Sequence, residues 1–232
     1  MAHDLMDTSY FHYEFQDLYS TRSWQKVGVE ALLRSEKVEP KQVFEEARNL
    51  GKLYEFETKL ISKLLQTFSL EGPLFIRIHS TTILNREFPF FIQRIAKNFF
   101  KKTKIVFEIV EAEDIENIAL FKERIALLKK LGFCIAIVNV GKNWPTLQVI
   151  IKLKPHIIKL NEYYSQDLSN NNTKQTMIKS FIDYAKNTNS LVVLEGIQTH
   201  CDLAMAKFLG IDICQGCILD EPKPIMNLDI LE

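Results

Sequence analysis

Seven residues able to do chemistry each follow a short apolar run: Glu30, Arg77, Glu108, Asn139, Lys159, Glu195 and Gln215. Glu30 sits inside Val27-Gly28-Val29-Glu30-Ala31-Leu32-Leu33-Arg34, among neighbours that belong in a core. A charge avoids such a place unless it is paired or coordinates a cation. Its bland reading is a surface glutamate at the mouth of a strand. Three acids and two bases converging on one rim read instead as a polar site. The alternative for the whole set is a structural ion-pair network that closes the same mouth. Cys214-Gln215-Gly216-Cys217 has redox-motif spacing, but it follows a strand late in the chain, so Cys134 and Cys214 read as buried thiols.

The elements that must position these residues alternate. Tyr10 to Tyr19 reads as a strand, and after a turn at Thr21 to Gln25 the next strand ends at Arg34. Pro40 opens a helix whose apolar face is Val43, Phe44, Ala47 and Leu50, with Gly51 as its stop, and a second helix covers Leu53 to Phe68. Six short strands follow, at Leu74 to Ile78, Ile105 to Ile109, Phe133 to Val138, Ile157 to Leu160, Leu191 to Leu194 and Ile211 to Cys214. Between them the pattern predicts helices over Phe88 to Phe100, Ile115 to Leu131, Pro145 to Leu153, Thr173 to Asn187 and His200 to Leu209, with Asn170 to Asn172 as a loop. Continuous apolar strands alternating with amphipathic helices indicate a parallel sheet covered by helices. Seven or eight such units without a linker fit a closed α/β barrel, with an open doubly wound sheet as the alternative. The strand ends of such a barrel build its site.

Composition bounds the rest. Lys+Arg and Asp+Glu are both 29 in 232 residues, so overall basicity offers nothing to a nucleic-acid polymer. Apolar runs fall far short of the roughly 20 residues of a membrane span. The first residues, Met1 to Asp7, carry two acids and no apolar signal core, so the expectation is a cytoplasmic protein without membrane insertion.

Six segments, in order and at barrel spacing, carry a resemblance. Glu30-Ala31-Leu32-Leu33-Arg34 resembles the signature of the EAL-domain family of cyclic-di-GMP phosphodiesterases. Phe15-Gln16-Asp17-Leu18-Tyr19 resembles the family's opening strand, and Phe107-Glu108-Ile109-Val110-Glu111 the strand that supplies a second metal carboxylate. Ile158-Lys159-Leu160 resembles the strand bearing the lysine near the attacking water. Leu194-Glu195-Gly196-Ile197-Gln198-Thr199 resembles the segment with a further acidic ligand, and Gln215-Gly216 the closing pair. The resemblance implies a (β/α)8 TIM-like barrel, its first strand antiparallel, as one domain over 1–232. It also implies Mg²⁺- or Mn²⁺-assisted hydrolysis of one phosphodiester bond, with Gln16, Arg34, Glu195 and Gln215 at nucleotide-contacting positions.

The chain departs from the family where the chemistry is. The family's metal-binding asparagine falls at Arg77 and its paired aspartates at Val138 and Asn139; Asn161 and Gln198 replace two further acids, and the loop Gly141 to Thr146 keeps little of the family's pattern. A guanidinium repels a divalent cation and can pair with Glu30 and Glu108. A one-residue slip would place Ile78 or His79 at the ligand position instead. The reading is therefore a degenerate EAL-like domain in bacterial signalling, with Glu30, Glu108, Lys159 and Glu195 as remnants of a catalytic set and no bound metal or other cofactor. It is expected to act through a protein partner, with Trp144, Pro145 and the helices after Lys159 as candidate interface. Two alternatives are a non-hydrolysing cyclic-di-GMP receptor and an active phosphodiesterase using Mg²⁺ or Mn²⁺. The sequence leaves the partner and the oligomeric state open.

Overall fold

Alternation along the strands decides the architecture. In the computed structural model, which describes residues 6–68, 71–99, 103–110, 115, 117–141 and 145–224, the apolar runs form strands β1 (Phe11–Ser20), β2 (Lys26–Ser35), β3 (Leu74–His79), β4 (Ile105–Val110), β5 (Cys134–Val140), β6 (Ile157–Leu160), β7 (Leu191–Leu194) and β8 (Ile213–Cys214). Strands β2 to β8 pair in sequence order, all parallel. The first strand, β1, closes the ring by pairing antiparallel with both β2 and β8. A two-residue strand, β9 (Lys223–Pro224), adds to β1. The expected barrel is thus borne out, antiparallel first strand included; closure leaves no open edge among the eight.

The helices are α1 (Pro40–Asn49), α2 (Leu53–Thr67), α3 (Ser80–Leu84), α4 (Phe88–Phe99), α5 (Ile118–Lys130), α6 (Pro145–Leu153), α7 (Asn172–Thr188) and α8 (His200–Leu209). Four details differ from the sequence reading. Leu50 is 43% exposed and lies past the end of α1, because the chain turns away there through Gly51 at φ +66°. The five-residue α3, too short to show a period, was not anticipated. Leu168–Asn170 is a 3-10 turn, and Asn171 caps α7 by accepting the Lys174 N–H. Cys134 is only partly buried, whereas Cys214 is fully buried and its thiol is pushed up to about 12 by burial.

Each strand buries both faces. One face packs under the helices in a continuous core that includes Phe15, Val29, Ile76, Phe107, Ile137, Ile158 and Leu194. The other face fills the barrel with Leu18, Phe75, Val106, Ala136, Ile157, Val193 and Ile213, one residue from each strand but β2. On β2 the matching position is Gly28, where an added Cβ would lie 2.6 Å from the Phe75 ring. Two residues nearer the mouth, the same strands present Gln16, Glu30, Arg77, Glu108, Val138, Lys159, Glu195 and Gln215. The interior is an apolar layer capped by a polar one.

Candidate functional site

The polar layer converges on Lys159. Its ammonium is fully buried and lies 2.6 Å from Glu30 Oε2, 2.7 Å from Glu108 Oε1 and 2.9 Å from Glu195 Oε1. Two of its three N–H donors go to Glu30 and Glu108, and Glu195 lies at ion-pair distance from the same nitrogen. Arg77 adds the second cation: its Nε and Nη2 reach Glu30 Oε1 at 3.0 and 2.9 Å, and its Nε lies 3.6 Å from Glu108 Oε2. Gln215 Nε2 donates to Glu30 Oε2 at 2.8 Å and to Gln16 Oε1 at 3.0 Å, while Gln16 Nε2 donates to the Asp220 carbonyl at 2.9 Å.

The charges set the protonation. Burial alone would raise the Glu30 carboxyl, but Lys159 and Arg77 outweigh it and hold Glu30 well below the usual carboxylate range. For Glu108, burial and the neighbouring Glu30 charge dominate, and it is pushed up to about 8. Three carboxylates against two cations leave one negative charge in excess, which a proton on Glu108 removes. The oxygen able to carry it is Oε2, buried and without a hydrogen-bond partner among the described residues. Burial disfavours a charged Lys159, yet the three carboxylates win and raise it above its ordinary value. Arg77 is raised as well, first by Glu30.

The register question resolves at β3. Phe75, Arg77 and His79 share the inner face, while Ile76 and Ile78 pack in the outer core. Arg77, not Ile78 or His79, stands beside Glu30 and Glu108. His79 is turned to α2, where its Nδ1 lies 2.6 Å from Glu57 Oε1 and its backbone N–H donates to both Glu57 oxygens at 3.2 Å. Sequence reasoning passed over Glu57, which is 2% exposed. The signal was present: Glu57, Leu60, Ile61 and Leu64 form one buried helical stripe, and a carboxylate within it demands a partner.

On β5, Val138 is buried at the polar layer and offers no ligand atom. Asn139 takes a positive φ of 56° at an irregularity between Ile137 and Val140, which turns its exposed side chain out to accept from Asn161 Nδ2 at 3.3 Å. Two positions expected as acids thus bond to each other as neutral amides. Arg34 is engaged by Glu14, with Nε to Oε2 at 2.8 Å. A cavity of about 460 Å³ opens beside the layer, its charged lining Arg34, Lys41, Arg48 and Arg77 against Glu45 and Glu57. Glu111 and residues 142–144, Trp144 among them, lie outside the described residues.

Hard divalent cations want about six oxygens. Among the described residues, both Glu30 oxygens and one oxygen each of Glu108 and Glu195 face Lys159, Arg77 or Gln215, and Glu108 Oε2 lies 3.6 Å from a guanidinium nitrogen. A cation entering the cluster would have to displace a side-chain cation. The residues as arranged do not fit a two-metal centre.

A family model described as EAL domain matches residues 2–222. The chain is 25% identical over 179 residues to the probable cyclic di-GMP phosphodiesterase PdeA of Escherichia coli (strain K12), covering 74% of this chain and 25% of that protein. It is 24% identical over 208 residues to the cyclic di-GMP phosphodiesterase TpdA of Vibrio parahaemolyticus, covering 89% of this chain and 36% of that one. Among solved structures, the PaMucR phosphodiesterase in complex with c-di-GMP superposes with a TM-score of 0.83 at 16% identity, over 93% of this chain and 97% of that chain. The chain spans between a quarter and about a third of the length of these two curated relatives. No helix among the described residues is long and apolar enough to cross a membrane.

Proposed function

Because this chain belongs to the EAL-domain family, we propose that it is a member that does not hydrolyse cyclic di-GMP and acts as a regulatory binding module, through contact with a protein partner. One observation carries the reading: Lys159 and Arg77 neutralise the carboxylate cluster from within. Metal-assisted hydrolysis needs a cation that polarises phosphate and activates water, and neither fixed cation does the second task here. The Lys159 ammonium is fully buried and ringed by three carboxylates, which leaves it no approach to a water, and a protonated Glu108 is a poor ligand. Val138 and Asn139 add no carboxylate.

The test is turnover. Cyclic di-GMP incubated with the full chain and millimolar Mn²⁺ or Mg²⁺, followed by chromatography, should give no linear dinucleotide above the protein-free control. Turnover that Glu30→Ala abolishes would overturn the proposal.

A non-hydrolysing cyclic-di-GMP receptor is the second reading. It is favoured by the cavity beside the polar layer, whose cationic lining suits phosphate. It is opposed by Arg34 being paired to Glu14, and by Gln16 and Gln215 being tied to each other. Calorimetry separates the two: micromolar binding of cyclic di-GMP selects the receptor.

A further inference from the structure

The end of the barrel where the parallel strands begin differs from the mouth. The last helix before each of β4 to β8 runs back to this end and terminates there. Five of them carry lysine in the last turn: Lys97, Lys129 with Lys130, Lys152, Lys186 and Lys207. Each alone complements its helix dipole; together they make one basic face on a chain of zero net charge.

A cavity of about 480 Å³ opens in that face. Its floor is the lower layer of the barrel, Phe75, Val106, Ile157 and Ile213, and its rim carries Arg22, Lys104 and His156. Of the residues lining it, Asp212 alone is acidic, and that carboxylate is in use. Its Oδ2 accepts the Val192 N–H at 2.9 Å, and its Oδ1 lies 3.7 Å from Arg22. His156 Nδ1 accepts the Ile135 N–H at 3.0 Å, which puts the proton of the neutral ring on Nε2, a further donor. Around this end three large apolar side chains stand exposed: Trp24 at 41%, Leu191 at 44% and Phe208 at 80%. Trp24 belongs to the β1–β2 turn, with the Lys207 ammonium 4.8 Å from its ring centroid.

We infer that this face docks a protein partner through a short segment that places a bulky apolar side chain in the cavity and acidic residues against Arg22 and Lys104. The chemistry selects that occupant. A sunken apolar floor accepts a side chain, a rim in cationic excess wants carboxylates, and exposed apolar groups beyond the cavity need an occupant larger than the cavity. A lipid surface would leave the sunken floor unfilled, whereas a side chain on a protein segment reaches it. The inference rests on the partner-binding reading above for the existence of a partner, and it adds that partner's docking site and chemistry.

Fluorescence anisotropy on the full chain tests it, with a labelled heptapeptide of one phenylalanine flanked by aspartates as the probe. This peptide should bind at least tenfold more tightly than versions with lysine for aspartate or serine for phenylalanine. Arg22→Glu combined with Lys104→Glu should weaken it at least tenfold, as should Leu191→Asp. Arg86→Glu, an equally exposed cation on the connection between α3 and α4, should leave it unchanged. Equal binding of the lysine peptide, or indifference to the Arg22 and Lys104 reversals, overturns the inference. Binding to phosphatidylglycerol vesicles without peptide preference overturns it in favour of lipid, and a dimer dissolved by Leu191→Asp overturns it in favour of a second copy. Turnover is measured separately, so a chain that cleaves cyclic di-GMP and a face that ignores the peptide are distinct failures.

Discussion

Lys159 and Glu108 make the mouth what it is. A buried ammonium among three carboxylates is stable only as a set, and removing one partner of a buried pair strands the others. Such losses run to about 3–5 kcal/mol. Lys159→Met should therefore destabilise the fold by about that much in urea unfolding, with part of the loss recovered at acidic pH as the stranded carboxylates take up protons. Glu108 sets a slope of its own. Its folded value of about 8 stands above its ordinary 4.5, so the native state binds the extra proton between those values. That stability is full below pH 4.5, falls as pH rises towards 8 and is lost above it, at no more than about 1.4 kcal/mol per pH unit. Glu30 acts oppositely: held below its ordinary value, it contributes above pH 4.5 and loses that contribution as pH falls further. Glu108→Gln imitates the protonated acid, so urea midpoints should lose their decline between pH 4.5 and 8 while keeping the acid-side loss. A decline that persists unchanged in the variant would show that the excess proton sits elsewhere.

At the scale of elements, the strands were legible and the turns between them less so. Apolar runs such as Leu74–Ile76 and Ile105–Phe107 have no polar face and can only be buried on both sides. Their bounds shifted by a residue or two, because pairing with a neighbour, not composition, decides where a strand stops. The five-residue α3 and the bulge at Asn139 gave no periodic signal, and both depend on what the barrel needs at its rim. Gly28 shows the same dependence. Its side-chain position faces the barrel interior, where Phe75 fills the space, and the Pro73 carbonyl lies 3.1 Å from the added Cβ. Gly28→Ala should cost about 1–3 kcal/mol by overpacking, measured as a shift in the urea midpoint. Phe75→Leu in the same chain should recover part of it; an additive pair of losses would show that the two sites do not touch.

For the whole molecule, the outer core runs without a break from Phe15 on β1 to Cys214 on β8. A chain sharing one core should unfold as one unit, so thermal transitions followed by far-UV and near-UV circular dichroism should coincide; two separated midpoints would contradict this. The sequence by itself determined the barrel, because a repeating strand and helix period leaves few other ways to bury apolar strands on both faces. It also narrowed the residues that reach the mouth, because strand alternation fixes the face of a side chain once the register is set. Only the tertiary structure decided that Arg77 and Lys159 meet the glutamates as ion pairs, that Glu57 takes His79, and that Asn139 turns away to Asn161. Those pairings join residues tens of positions apart, and closure of the ring brings them within hydrogen-bond reach; no local pattern encodes that distance.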